Sequence, residues 1–337
     1  PGCYAATNEI AEMCKIIETY GGFYATHIRN EGDKLEDALT EAIEISRLSG
    51  VRLQVSHLKT SGSRNWYKIK NIKTIIERAI DEGIDVTCDR YPYIAAATDL
   101  DVILPNWVYE GGIADQINRL KDTNTRQQIT KEVSQSEDDV FWNTIMISSV
   151  YYDKNKWMEG KTITEISKEL NKPPIETVFD LLIEEETRVD IFLFSMCEEN
   201  LEKILGWDFV FVGSDSSMRA NQGILKEGKP HPRSYGTFSR ILGRFYREKK
   251  LLSLEKAIQK MTGLPAQKIG LDKRGLIKTG YFADITIFDP EKIIDRSTFT
   301  EPHQYSEGVE YVIVNGKIAV NNGKHTGITN GRILRKS

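Results

Sequence analysis

Phe23-Tyr24-Ala25-Thr26-His27 and Leu53-Gln54-Val55-Ser56-His57 decide how the rest of the chain is read. Each is a short strand-forming run that ends on a polar side chain able to bind a metal. Between them, Asp33 opens a helical pattern that places Leu35, Ala38, Leu39, Ala42, Ile43 and Ile45 on one face, and Gly50 closes it. Before the first run, Ile10, Ala11, Met13, Cys14, Ile16 and Ile17 recur at helical spacing behind a Thr7 cap, and Gly21-Gly22 ends that helix. After the second run, a helix is predicted over 65–81, with Ile69, Ile72, Ile75, Ile76, Ala79 and Ile80 inward. Gly83 stops it, and a third strand follows at 85–88. Strand and helix alternate through short links, which predicts parallel strands joined by right-handed crossovers.

The rhythm fails over about 99–190, which reads as an insertion or lid holding helices near 113–120, 164–170 and 175–185 and a strand at 144–150. Alternation is then predicted to resume with a strand at 191–195, a helix at 198–205 and a strand at 209–213, followed by helices at 237–249 and 253–261. Beyond Gly270 the texture is β. Residues 283–289 and 311–314 alternate, and Asn315-Gly316 leads into 317–320 as a strong hairpin signal. A small β domain is therefore expected over 271–337, behind an α/β domain at 1–270.

The chain has 337 residues, 45 basic and 49 acidic, for a net charge of −4. No basic stripe suggests nucleic acid as a partner. Arg244, Arg247, Lys249 and Lys250 sit at a helix end, where a solvated face complementing the helix dipole accounts for them. No apolar run reaches the roughly 18 residues of a membrane span. The four cysteines, Cys3, Cys14, Cys88 and Cys197, are scattered without a CxxC pair, which fits small buried hydrophobes in a reducing cytoplasm.

Only five histidines occur, and His27 and His57 hold matching places past the ends of two strands. Asp215 ends the strand Phe209-Val210-Phe211-Val212-Gly213-Ser214 in the same way. In a (β/α)8 barrel the C-terminal strand ends converge on the active-site face. A lone histidine after a strand is more often a cap or a satisfied core group. Two in register with an aspartate are what a catalytic zinc or a metal pair requires. His231, between Pro230 and Pro232, either binds substrate or does nothing; His303 and His325 fall in the β domain as structural or exposed groups.

The segment Gly21 to Gly32, through Ala25-Thr26-His27-Ile28-Arg29-Asn30-Glu31, closely resembles the strand-five motif of the N-acyl-D-amino-acid deacylases (D-aminoacylases), zinc enzymes of the amidohydrolase superfamily. Val55-Ser56-His57-Leu58-Lys59 resembles their strand-six motif, Asp89-Arg90-Tyr91-Pro92-Tyr93 the segment after it, and Gly213-Ser214-Asp215 the strand-eight aspartate. His231-Pro232-Arg233 with Gly236-Thr237-Phe238, and Met261-Thr262-Gly263-Leu264-Pro265-Ala266, are similar to later family segments. The resemblance implies that His27 and His57 are zinc ligands and Asp215 the general base. For the small-molecule substrate, an N-acyl amino acid, it leaves Lys59 and Arg233 as candidates for the carboxylate, Tyr91 or Tyr93 for the carboxylate or the oxyanion, and Met196 for the side-chain pocket.

Two departures qualify this. The family's His-x-His pair occurs nowhere in the sequence, and none of the four cysteines stands in the context of its cysteine ligand; Cys3, before the first helix, is a poor replacement. The expected fold is therefore α/β: the C-terminal half of a metal-dependent (β/α)8 TIM barrel with an inserted helical lid, plus a small β-sandwich domain. An N-terminal segment of the same protein is the expected partner. A hydantoinase- or dihydroorotase-like cyclic-amide hydrolase, or a non-catalytic remnant, are the competing readings, and the Tyr91-Pro92-Tyr93 segment with the long insertion favours the deacylase.

Overall fold

The computed structural model describes residues 4–136 and 140–334; Cys3 lies outside them. Helix α1 (Thr7–Thr19) leads to β1 (Phe23–Thr26), α2 (Leu35–Ser49), β2 (Arg52–Val55), α3 (Ile69–Asp81) and β3 (Val86–Arg90). Thr7, expected as a cap, is the first helical residue, and its hydroxyl donates to Glu41 Oε1 at 2.6 Å. Only Ala11 and Cys14 of α1 are buried, against Ile45 and Val51; Met13 and Ile16 face outward, each more than half exposed. Helix α2 ends as predicted, with Gly50 in the left-handed region (φ 73°).

The lid begins at β4 (Ala96–Asp99) and continues through α4 (Ile113–Lys121), α5 (Thr123–Ser136), β5 (Ile145–Val150), α6 (Ile163–Leu170) and α7 (Pro174–Glu184) to β6 (Val189–Leu193). The sequence reading placed the last of these back in the barrel. Instead β6 pairs antiparallel with both β4 and β5, Ile191 lying opposite Thr98 and Ile147. The reason is packing. Ile191 and Phe192 are fully buried, and Ile191 joins the lid's own core with Ile145, Ile147, Phe179 and Leu182.

The chain returns through α8 (Glu198–Gly206) to β7 (Val210–Val212), which pairs directly with β3. The result is an open parallel sheet in the order β1-β2-β3-β7, with β1 and β7 at its edges. Helix α9 (Arg233–Arg240) runs into a π-helical stretch, Ile241–Glu248, and then α10 (Leu254–Met261) and α11 (Gly263–Ile269) follow. Three of the four basic residues of this stretch have intramolecular partners. Arg244 and Lys249 pair with Glu198 at 2.9 and 3.1 Å, and Arg247 Nη1 donates to the carbonyls of Pro290 and Ile293.

The remaining strands, β8 (Ile285–Phe288), β9 (Val309–Val314), β10 (Lys317–Asn321) and β11 (Lys324–His325), form one antiparallel meander. Among the described residues this is a single layer. Its predicted hairpin is present, with Asn315 and Gly316 at φ 46° and 81°, the positive pair of a tight hairpin turn. No helix among the described residues is long and apolar enough to cross a membrane.

Candidate active site

Sheet register delivers the two histidines together. Thr26 pairs with Val55, and the Ser56 N–H donates to Thr26 O at 2.9 Å, so His27 leaves β1 opposite Ser56 and His57 follows one residue later on the adjacent parallel strand. Their ring centroids are 4.4 Å apart, and His27 Nδ1 faces His57 Nε2 in direct hydrogen-bond contact. The other nitrogen of His57, Nδ1, lies 2.9 Å from Glu31 Oε1 and 2.7 Å from Lys59 Nζ, and Lys59 also donates to Glu31. A carboxylate behind a histidine orients the ring and raises the basicity of its far nitrogen, the usual support for a metal ligand. Burial works against the Glu31 carboxylate, but Lys59 and His57 prevail and hold its pKa at about 2.

Asp89 supplies the next link. Its Oδ1 accepts the His57 backbone N–H at 2.8 Å and its Oδ2 accepts from Gln54 Nε2 at 2.7 Å. His57 itself adopts φ 39°, a left-handed conformation that costs an L-residue about 1 kcal/mol or more, and the Asp89 hydrogen bond helps hold it there. On the far side of Asp89 stands Gly213, whose N–H donates to Arg90 O at 3.2 Å. A Cβ on Gly213 would lie 3.1 Å from Asp89 Oδ1, a tight fit beside this carboxylate.

Asp215 also has positive φ, 48°, and its Oδ2 lies 2.8 Å from Arg233 Nη1. The Arg233 guanidinium is buried and stacks over the Tyr91 ring at 4.6 Å. A cavity of about 300 Å³ opens here, lined by Thr98, Ser148, Asp215, Ser216, His231 and Arg233. Tyr91, Tyr93 and Met196 form one small buried cluster, and Arg90 Nη2 contacts Met196 Sδ at 2.8 Å.

The sequence-derived candidates thus fall into two groups. His27, His57 and Lys59 meet directly; Asp215 and Arg233 form a second pair, with Tyr91 beneath the guanidinium. The Tyr93 hydroxyl has partners within the chain. It lies 3.4 Å from Asp295 Oδ2 and 3.5 Å from Pro232 O, and burial beside Asp295 pushes its pKa far up. Gly236 permits that packing, since a Cβ there would meet Tyr93 Oη at 2.5 Å. Sequence reasoning missed Glu31 and Asp89. Both stand inside the segments that carried the resemblance, Glu31 in the loop between β1 and α2 and Asp89 within β3.

Among the described residues no three His, Cys, Asp or Glu side chains gather closely enough to hold a metal ion. A catalytic zinc takes three protein ligands. The facing imidazoles, one of them backed by a carboxylate, fit two of these, and the described residues add no third.

Comparison with known proteins accords with this geometry. A model of the amidohydrolase family matches residues 209–320. The D-aminoacylase of Alcaligenes xylosoxydans xylosoxydans is 31% identical over 337 residues, all of this chain and 60% of that protein. A solved D-aminoacylase, studied for the role of its binuclear metal centre, superposes with a TM-score of 0.78 at 31% identity, over 98% of this chain and 60% of that one. An N-acyl-D-glutamate deacylase from Bordetella bronchiseptica, solved with zinc and a phosphonate inhibitor, gives 0.76 at 28% identity over 95% of this chain and 57% of that one. The chain therefore spans about 60% of the length of the relatives it matches. Over its whole length this chain is similar to the D-aminoacylases, and residues 209–320 match the model of the amidohydrolase family.

Proposed function

We propose that this chain carries the proton-transfer and substrate-binding part of a metal-dependent hydrolase that splits the linear amide of N-acyl-D-amino acids into a carboxylate and a free D-amino acid. The observation that carries the reading is the His27–His57 contact, backed by Glu31, on the same sheet end as the Asp215–Arg233 pair. His27 and His57 would hold the metal, and zinc suits imidazole ligands. When bound, such an ion polarises an amide carbonyl and brings the pKa of water down towards 7.

The chain's own residues do the rest. Glu31 and Lys59 fix the His57 ring, and Asp89 fixes its backbone. Asp215, held through Oδ2 by Arg233, takes a proton from water and returns it to the leaving amine, a task a weak carboxylate base can perform once the water is acidified. The Arg233 fork meets the substrate carboxylate in a partly dry setting, where bidentate pairing is strong. Lys59 adds a point charge, and Tyr91 and Met196 wall the pocket. The remaining ligands would come from an N-terminal segment of the same protein, a view supported by the two-ligand count and by the two unpaired edges of the parallel sheet. Cys14, Cys88 and Cys197 are free, in keeping with a reducing cytoplasm.

The test is turnover by the full-length gene product on paired N-acetyl-D- and N-acetyl-L-amino acids, with and without chelator. The proposal expects hydrolysis of the D series alone, lost on chelation and restored by zinc. Equal rates on both enantiomers, or chelator-resistant turnover, would contradict it.

A further inference from the structure

His231 belongs to neither half of the proposed chemistry, yet it is among the most constrained side chains near it. It stands two residues before Arg233 and is only 4% exposed. Nδ1 accepts the backbone N–H of Arg233 at 3.0 Å, and Nε2 lies 3.0 Å from the carbonyl of Ala95. An accepting Nδ1 needs its lone pair, so the ring hydrogen sits on Nε2 and is donated to Ala95. The first N–H of α9, which the helix itself cannot satisfy, is thereby capped from outside the helix.

Four aromatic rings meet the imidazole edge-on, with centroids 6.0 Å (Tyr91), 5.2 Å (Tyr93), 5.4 Å (Phe192) and 5.0 Å (Phe299) away. They come from the segment after β3, the lid strand β6 and the β domain. The charged groups acting on the ring are Arg233, Arg90 and Arg240. Arg233 pairs with Asp215, and Arg240 pairs with Asp295 at 3.0 Å. Arg90 is fully buried, and its Nε and Nη1 have no hydrogen-bond partner among the described residues. Burial, with these cations around it, holds the imidazole well below its ordinary pKa.

We infer that His231 is a positioning residue: its neutral ring clamps the start of α9 to the Ala95 segment and so delivers the Arg233 guanidinium to Asp215. The inference rests on the proposed function for its kinetic consequence, but not for its structural one. A misplacement of about 1 Å at such a group can cost about 10²-fold in rate.

Two measurements test it. Nitrogen-15 NMR of the imidazoles in the full-length protein should show one ring locked as the neutral Nε2–H tautomer from about pH 5 to 8, with its assignment to His231 made by its loss in His231→Asn. A His231 ring that titrates in that range, or that carries its hydrogen on Nδ1, overturns the clamp. In kinetics on an N-acetyl-D-amino acid, His231→Asn keeps an acceptor where Nδ1 stood but gives up the Ala95 end, whereas His231→Gln keeps the reach of Nε2 but gives up the acceptor. Because the clamp needs both ends, each variant should lose about tenfold or more in kcat with a raised KM, at a melting temperature matched to the parent. Parent-like kcat and KM in either variant overturn the inference. If the parent hydrolyses no N-acyl amino acid, the functional reading falls, and the tautomer result still decides the clamp.

Discussion

The histidine pair and the Asp215 corner lie on one sheet end but are built by different means. His27 and His57 are placed just past the ends of two neighbouring parallel strands whose register ends at Thr26 and Val55, and their rings meet with centroids 4.4 Å apart. Asp215 and Arg233 are placed by a loop, a helix start and a left-handed residue, and they meet across 18 positions of sequence. Regular structure gives the first region its precision. The second depends on buried side chains, and this is the usual division between a scaffold and the loops that carry chemistry.

Substitutions that strike one region and spare the other test that division. The largest effect is expected at His57. His57→Ala should remove a ligand and abolish both bound metal and turnover in the full-length protein, read by metal analysis alongside the D-substrate assay. Retained stoichiometric metal would show that the pair is structural. Glu31→Gln comes next, because partners behind a ligand are worth about 10–100-fold in metal affinity or activity; chelator titration measures it, and an unchanged affinity would detach Glu31 from the site. Arg233→Lys keeps the charge but loses the fork, and should raise KM for N-acyl-D-amino acids by about tenfold, the equivalent of about 1.4 kcal/mol. The Glu31 variant should leave that KM nearly untouched.

The smallest expected effect concerns how β7 is anchored. Lys260 is fully buried and donates to the carbonyls of Trp207 and Val210, the latter at 2.8 Å. Burial lowers its pKa to about 8 from the ordinary 10.5. Between those values the unfolded chain binds the extra proton, so this group makes stability rise with pH from about 8 to 10.5. Melting curves of the parent should show that increment, and Lys260→Met should lack it. A variant with the same slope would remove Lys260 as its source.

Much of the fold was legible because its signals are local. The alternation that predicted β1, α2, β2, α3 and β3 reflects helix faces and strand runs that bury against one another. The Asn315-Gly316 hairpin follows from two residues that tolerate positive φ. Helix α5 was not foreseen, since in Thr123–Ser136 only Ile129 and Val133 join the core. The strand β6 was assigned to the wrong sheet because an apolar run does not say which partner will cover it. At the site, His27 and His57 announced themselves by matching positions. Glu31 and Asp89 did not, because a carboxylate in a loop or a strand looks the same in sequence whether it faces solvent or braces a ligand. Asp295, which meets Tyr93 and Arg240, lies about 200 residues from Tyr93 and has no sequence signal at all.

On the proposed function the two regions hold separate jobs, metal in one and proton transfer in the other. Asp215→Ala in the full-length protein tests it most directly, with metal content and kcat measured on the same preparation. A loss of kcat of about 10²–10⁴-fold is expected, with metal content near that of the parent. Loss of the metal together with activity would make Asp215 a ligand and contradict the division.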